Sequence, residues 1–198
     1  MSWISTDPPA ELVWITVLLA FVGFAIAVPG FLQMVWGRPY IYIDFGDERI
    51  GAGRVFTCAI WNWPVTSRLL MLLGINRVTV EDAIVSFTVK EDGTGRTLVA
   101  SVVPHIKMAA GNLSQRARIP ASKFEASFPV ATRQPDGVVQ VAADNYGPAL
   151  EPGGYIFEVN LAVSGKVVHS KRRLFVTPND DGCFWEPPPL GKLRLSRR

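Results

Sequence analysis

The chain has 198 residues, of which 48% are hydrophobic and 19% are charged, and its formal charge is +3. The charged fraction is low for a soluble protein, and the length allows one domain of ordinary size plus an appendage. Residues 38–198 carry all 20 basic side chains and 15 of the 17 acidic ones. This positive excess is small and dispersed, so the composition does not indicate a protein that binds nucleic acid.

A long apolar segment follows an acidic N-terminal tail. The tail covers residues 1–11, and residues 12–36 contain no Asp, Glu, Lys or Arg. As a helix this segment extends about 37 Å, whereas the hydrocarbon core of a bilayer is about 30 Å thick. A cleaved signal peptide is the main alternative, but it requires a basic leader and a shorter apolar core. The segment therefore predicts a retained, single transmembrane helix, which Pro29 should kink or end.

The flanks of the segment predict how this helix sits in a membrane. Trp14 and Trp36 are spaced to act as aromatic anchors at the two interfaces, and Arg38 stands at the boundary. Positive charge follows the segment, at Arg38, Arg49 and Arg54, whereas no Lys or Arg precedes it. Because cytoplasmic flanks carry the excess of Lys and Arg, we expect the C-terminal part of the chain to be cytoplasmic.

Small residues recur along the apolar segment at intervals of four and three. This spacing places them on one side of a helix, where they allow another helix to approach closely. An alternative explanation is that Gly and Ala are simply common in membrane helices. We favour a packing face toward other integral membrane subunits or a second copy of this chain, formed by Thr16, Ala20, Gly23, Ala27 and Gly30.

After Arg38 the apolar residues alternate with period two, which is typical of β-strands. Val85, Phe87 and Val89 illustrate the pattern, and Gly-rich turn sequences separate this run from similar ones. Several short strands with regular turns predict an antiparallel β-sandwich over residues 38–178. Cys58 falls on an inward face of one strand, as a small core residue would. Two cysteines make no disulfide framework, and the sequence does not decide whether they pair.

Two stretches resemble parts of immunoglobulin-like and fibronectin-III-like domains. The sequence LEPGGYIFEVNLAVSGKVVHSKRRLFV is similar to their final hairpin, in which a Pro-Gly turn precedes a Tyr-led strand. RVFTCAIWNWPV resembles their early strand, with an Asn near its end. Together they cover about a fifth of the chain and are specific to no family. The resemblance implies an immunoglobulin-like sandwich that binds or scaffolds. It implies no more specific function, because fold alone does not give function.

Two further segments do not fit a plain sandwich. Residues 61–77 are rich in Trp and Leu but too short to cross a bilayer, so they either fold over the core or rest on the membrane or a partner. Residues 179–198 form a Pro-rich, basic C-terminal tail that is either solvated or held by a partner. The candidate partner or membrane contacts in these segments are Trp61, Trp63, Leu69, Leu70, Leu72, Leu73 and Trp185.

The sequence contains no recognisable catalytic or cofactor motif. His105 and His169 are the two histidines, and no Cys/His cluster has metal-ligand spacing. We therefore expect no cofactor, no metal and no enzymatic activity. The sequence favours a non-catalytic accessory subunit of a membrane complex, whose type it does not specify. The alternatives are an extracytoplasmic, membrane-tethered binding module and, less favoured, an enzyme with an unrecognised site.

Overall fold

The computed structural model describes residues 10–108, 111–122, 126–143, 147–163, 165–178 and 183–187. Within these residues the chain forms one long helix followed by a β-sandwich that includes one short helix. The elements are α1 Ala10–Trp36, β1 Ile41–Ile50, β2 Gly53–Asn62, α2 Arg68–Leu72, β3 Val80–Glu91, β4 Thr97–Val102, β5 Ile106–Lys107, β6 Leu113–Ser114, β7 Arg116–Ile119, β8 Ala126–Arg133, β9 Val139–Val141, β10 Ala149–Leu150, β11 Gly153–Val163, β12 Lys166–Val176 and β13 Phe184–Trp185.

Helix α1 is apolar on every side and packs against almost nothing in the chain. Its stretch Leu12–Trp36 is long and apolar enough to cross a membrane, and none of the segment on which that finding rests is buried. Pro29 lies inside the helix without ending it. The helix ends instead at Trp36, and the N–H of the next residue, Gly37, donates to the carbonyl of Gln33 at 2.8 Å. A soluble globular protein buries such a helix against its own core, and this chain does not.

Two antiparallel sheets face each other in the β-domain. One sheet has the strand order β1-β2-β8-β5-β6, with β9 on β8 and β10 on β9. The other has the order β13-β12-β11-β3-β4, with β7 also paired to β3. The hairpin between β11 and β12 turns at Gly165, where φ is +77°. The predicted mainly β fold, an antiparallel sandwich behind an apolar helix, is confirmed.

The core follows the alternation seen in the sequence. Val85, Phe87 and Val89 of β3 are fully buried, and the ring of Phe87 stacks on Phe128 from the opposite sheet, with centroids 6.1 Å apart. Cys58 is also fully buried, and the thiols of Cys58 and Cys183 are free. Strands β3 and β11 thus each contribute one apolar face, as the period of two requires.

The C-terminal boundary of the sandwich lies beyond the predicted residue 178. Strand β13 pairs with β12, so Phe184 and Trp185 belong to the sheet rather than to a separate tail. The chain between β4 and β8 forms the short strands β5, β6 and β7, which the sequence does not predict. Their apolar alternation is too brief to distinguish a strand from a loop in the sequence alone.

Candidate functional site

A pair of hydrogen bonds joins the last turn of α1 to the β-domain. The side-chain amide of Gln33 donates from Nε2 to the carbonyl of Asn76 at 2.7 Å. The main-chain N–H of Asn76 donates back to Oε1 of Gln33 at 3.2 Å. One planar amide therefore satisfies both main-chain groups of a residue 43 positions away in the chain, which fixes the helix against the segment that leads into β3.

Two further hydrogen bonds to main-chain carbonyls reinforce this joint a few residues beyond Gln33 and Asn76. The carbonyl of Gly37 accepts a hydrogen bond from the N–H of Val78 at 2.7 Å. The carbonyl of Arg38 accepts another from Nη1 of Arg77 at 2.8 Å, and the Arg77 guanidinium lies 5.3 Å from the ring centroid of Tyr40. The connection between helix and sandwich is thus a short, hydrogen-bonded stretch.

Asn62 at the end of β2 organises the same region from inside the domain. Its side chain is fully buried and accepts a hydrogen bond from the N–H of Tyr40 at 3.1 Å. Its Nδ2 donates to the carbonyls of Val78 at 2.9 Å and Ile119 at 3.3 Å. A buried amide with these partners is satisfied rather than costly. It holds together the chain entering β1, the chain entering β3, and β7.

Helix α2 presents leucines to the exterior beside the joint. Leu69, Leu72 and Leu73 have the i, i+3, i+4 spacing of one helix face, and their exposed fractions are 67%, 85% and 41%. We call these three residues the α2 surface. Leu70 is half-buried and Ile75 is fully buried, so they hold the short helix to the domain. An unburied leucine cluster of this kind on a short helix is typical of a contact surface.

Aromatic side chains surround the same end of the domain. Trp36, Tyr40, Tyr42 and Trp63 are each about half exposed. Trp61 is half-buried and packs against Tyr42, with ring centroids 5.7 Å apart. Partial burial raises the pKa of the Tyr42 hydroxyl, and the nearby Asp44 carboxylate adds to this. The tyrosine therefore stays neutral at physiological pH, as a side chain at a polar–apolar boundary should.

The charge at this end of the domain is positive. Residues 12–43 and 61–80 contain Arg38, Arg68 and Arg77 but no acidic residue. The acidic residues that directly follow these two ranges, Asp44 and Glu81, form ion pairs with Arg172 at 3.6 Å and with Arg118 at 3.0 Å. One end of the β-domain thus contains the last turn of α1, the α2 surface, the aromatic rings and the three arginines.

The five small residues predicted as a packing face lie on the exposed surface of α1. A Cβ added at Gly23 or Gly30 would have no other group within 4 Å. The hydroxyl of Thr16 donates to the carbonyl of Leu12 at 2.8 Å, so its polar group is satisfied within the helix. Ala20 and Ala27 are exposed. Docking of a second helix on this face remains a prediction.

The predicted membrane anchors lie near the two ends of α1. Trp14 and Trp36 are exposed. The Nε of Arg38 donates to the carbonyl of Met34 at 3.2 Å, which places a cation on the last carbonyls of the helix. Such a cation is favourable at a helix C-terminus. Whether these residues meet a membrane interface remains a prediction.

Trp185 corrects the expectation of a partner-binding tail. Its ring is 8% exposed and packs against Phe45 and Phe157, with centroids 5.0 Å and 5.4 Å away. Its indole N–H donates to the carbonyl of Gly46 at 2.8 Å. Trp185 is a core residue, and its ring is not available to a partner. The remainder of the predicted tail, apart from residues 183–187, lies outside the described residues.

Other parts of the described chain offer little chemistry. No group of three or more His, Cys, Asp or Glu side chains among the described residues could hold a metal ion. An open groove of about 270 Å³ runs between residues 50–55 and 132–135, and Arg54 and Arg133 are the ionisable groups in its lining. Burial raises the pKa of the Cys58 thiol, and Asp44 adds to this, so Cys58 is a poor nucleophile.

The sequence does not predict the hydrogen bonds that join Gln33 of α1 to Asn76. Gln33 was visible as a polar residue in an apolar segment, and Asn62 as an Asn near the end of a strand. Nothing in the sequence indicates that Gln33 contacts Asn76, because their bonds join a side chain to a main chain, and any residue type at position 76 except Pro provides the same groups.

The sequence matches no protein-family model, and no curated protein or solved structure matches it significantly.

Proposed function

We propose that this protein is a non-catalytic accessory subunit of a multi-protein membrane complex, anchored by α1 and contributing a β-sandwich at the membrane surface. One observation carries the proposal: no residue of a 25-residue apolar stretch is buried by the described part of the chain, yet the stretch is joined to the sandwich by hydrogen bonds. Water is a poor solvent for such a helix, whereas a bilayer about 30 Å thick accommodates it.

The hydrogen bonds between α1 and the β-domain orient the sandwich as well as tether it. A flexible linker would let the sandwich rotate freely about its anchor. The bonds between Gln33 and Asn76 and between Gly37 and Val78 restrict that rotation instead. A module held at a set orientation to its helix suits a fixed place beside other subunits, and a sandwich of the immunoglobulin-like type provides two faces for such contacts.

The small-residue face of α1 is the proposed contact with neighbouring helices. Helices in lipid associate through close packing rather than hydrophobic burial, and small residues permit that approach. Gly23 and Gly30 lie open on α1, so none of the described residues packs against the face at these two positions. The partner is an integral membrane subunit, with a second copy of this chain as the other candidate.

Native gel electrophoresis and mass spectrometry after extraction in mild detergent test this assignment. We expect the chain to remain in the membrane pellet at alkaline pH and to co-purify with other membrane proteins. Gly23→Leu should reduce co-purification, because the added side chain separates the helix backbones. Ala25→Leu is the matched control, since residue 25 lies opposite the small-residue face at about 100° per residue. A monomer without co-purifying proteins, or equal effects of the two variants, would contradict the proposal.

Orientation separates this proposal from the extracytoplasmic binding module. The positive flank after α1 supports a cytoplasmic sandwich. Cys58 and Cys183 are buried, so a membrane-impermeant maleimide needs an introduced thiol, and Ile50→Cys provides one at an exposed site. We expect labelling only after the cells are lysed. Labelling of intact cells would place the sandwich outside and favour the binding module.

A further inference from the structure

We propose that the α2 surface lies in the lipid headgroup region of the same bilayer that α1 crosses, so that the sandwich rests on the membrane through α2. The inference rests on the proposed function, since it takes α1 to be a membrane span. The α2 surface contacts lipid in this proposal. Three observations support it, namely the position of α2, its exposed leucines and the charge around it.

Position is the first argument. Asn76 is bonded to Gln33, three residues before the last residue of α1. Leu72 precedes Asn76 by four residues, so the two lie within about 14 Å even in a fully extended chain. If α1 spans the bilayer, α2 is therefore held close to the level at which the span leaves the hydrocarbon core. Amphipathic segments at that level bury their apolar face about 5–10 Å deep.

The chemistry of the region is the second argument. Leu69, Leu72 and Leu73 are exposed, whereas Leu70 and Ile75 face the domain. Half-exposed Trp and Tyr rings lie at the same end of the domain, and such rings are enriched at membrane interfaces. Exposed leucines and aromatic rings are the side chains expected where acyl chains meet headgroups.

Charge is the third argument and indicates the kind of lipid. Arg68 is the first residue of α2, and Arg77 lies five residues beyond its end. Arg38 is distant in the chain but accepts a hydrogen bond from Arg77 through its carbonyl. Residues 61–80 contain no acidic residue. Lys and Arg beside an anionic leaflet are attracted to its headgroups. The surface is therefore complementary to anionic lipid.

A depth measurement in vesicles tests the inference on the full chain. An environment-sensitive fluorophore is attached to Leu72→Cys, and the chain is reconstituted in phosphatidylcholine with and without phosphatidylglycerol. Ile50→Cys is the matched control, because Ile50 is also exposed but lies at the far end of the β1–β2 hairpin. Val22→Cys in the middle of α1 reports whether the helix is inserted. The native thiols are buried and remain unlabelled.

We expect the Leu72 label to emit at shorter wavelength than the Ile50 label and to lose most of its emission to a quencher carried on lipid headgroups. Phosphatidylglycerol should increase that quenching. Replacing Leu69 by Gln should reduce it at least twofold without unfolding the domain, because Leu69 is exposed.

Three outcomes would overturn the inference or its basis in distinguishable ways. If the Val22 label is inserted but the Leu72 label matches the Ile50 label, α2 does not contact lipid, while the membrane anchor stands. If the Leu72 label is shielded only when a co-purified protein is added, the α2 surface is a protein contact and the lipid assignment is wrong. If the Val22 label is itself exposed to water, the proposed anchor fails.

Discussion

Asn62 is the residue on which the end of the sandwich nearest to α1 depends most. Its buried amide has hydrogen bonds to the main chains of Tyr40, Val78 and Ile119, which come from three separate segments. Asn62→Ala leaves these buried groups without partners, so we expect a loss of about 2–4 kcal/mol in the free energy of unfolding. Urea titration in detergent micelles, followed by near-ultraviolet circular dichroism, measures this loss.

Asn76→Ala is the control for that measurement. Asn76 bonds to Gln33 through its main chain, and its own Nδ2 makes a 3.4 Å contact with the carbonyl of Gly74. Truncating an exposed side chain with one long contact should change stability by no more than about 0.5 kcal/mol. A loss at position 76 as large as that at position 62 would contradict the role given to the buried amide.

At the scale of elements, the joint between α1 and the sandwich determines how independently the two move. Gln33→Leu removes two hydrogen bonds, each worth about 0.5–1.5 kcal/mol, but leaves the main-chain bond from Val78 to Gly37. We expect the domain to stay folded while the distribution of distances between spin labels at Phe24→Cys and Ile50→Cys becomes broader. Pulsed electron paramagnetic resonance measures that width. Asn76→Ala should leave it unchanged, and an unchanged width in Gln33→Leu would show that these bonds do not hold the joint.

The elements also show which features a sequence reveals. The long apolar run of α1 and the alternation along β3 and β11 were sufficient to predict a helix followed by a sandwich, because each pattern repeats over ten or more residues. The short strands β5, β6 and β7 lack that repetition and were missed. The α2 leucines were identified as unusual, but their exposure depends on the burial of Leu70 and Ile75, which only the packed domain determines.

At the scale of the whole molecule, the sandwich is completed by β13, a strand in the segment that the sequence predicts to be a tail. The composition of residues 179–198 is compatible with a tail that is either solvated or held by a partner, since three consecutive prolines and four basic residues lie among them. The contact that incorporates Trp185 joins it to Gly46, which lies 139 positions earlier in the chain. A periodic pattern indicates local structure and carries no information about a contact at that separation. The contact between Trp185 and Gly46 is therefore a part of this fold that sequence patterns could not predict.

Trp185 bridges the two sheets, and its loss should destabilise the entire sandwich. Strand β13 pairs with β12 in one sheet, while the indole donates to Gly46 of β1 in the other and its ring packs against Phe45. Removing a buried Trp side chain costs about 3–5 kcal/mol, so Trp185→Ala should lower the urea midpoint strongly. Phe184→Ala is the control in the same strand, because Phe184 is 47% exposed. Its ring contact with Phe175 is worth about 1 kcal/mol. Similar midpoints for the two variants would show that Trp185 does not hold the sheets together.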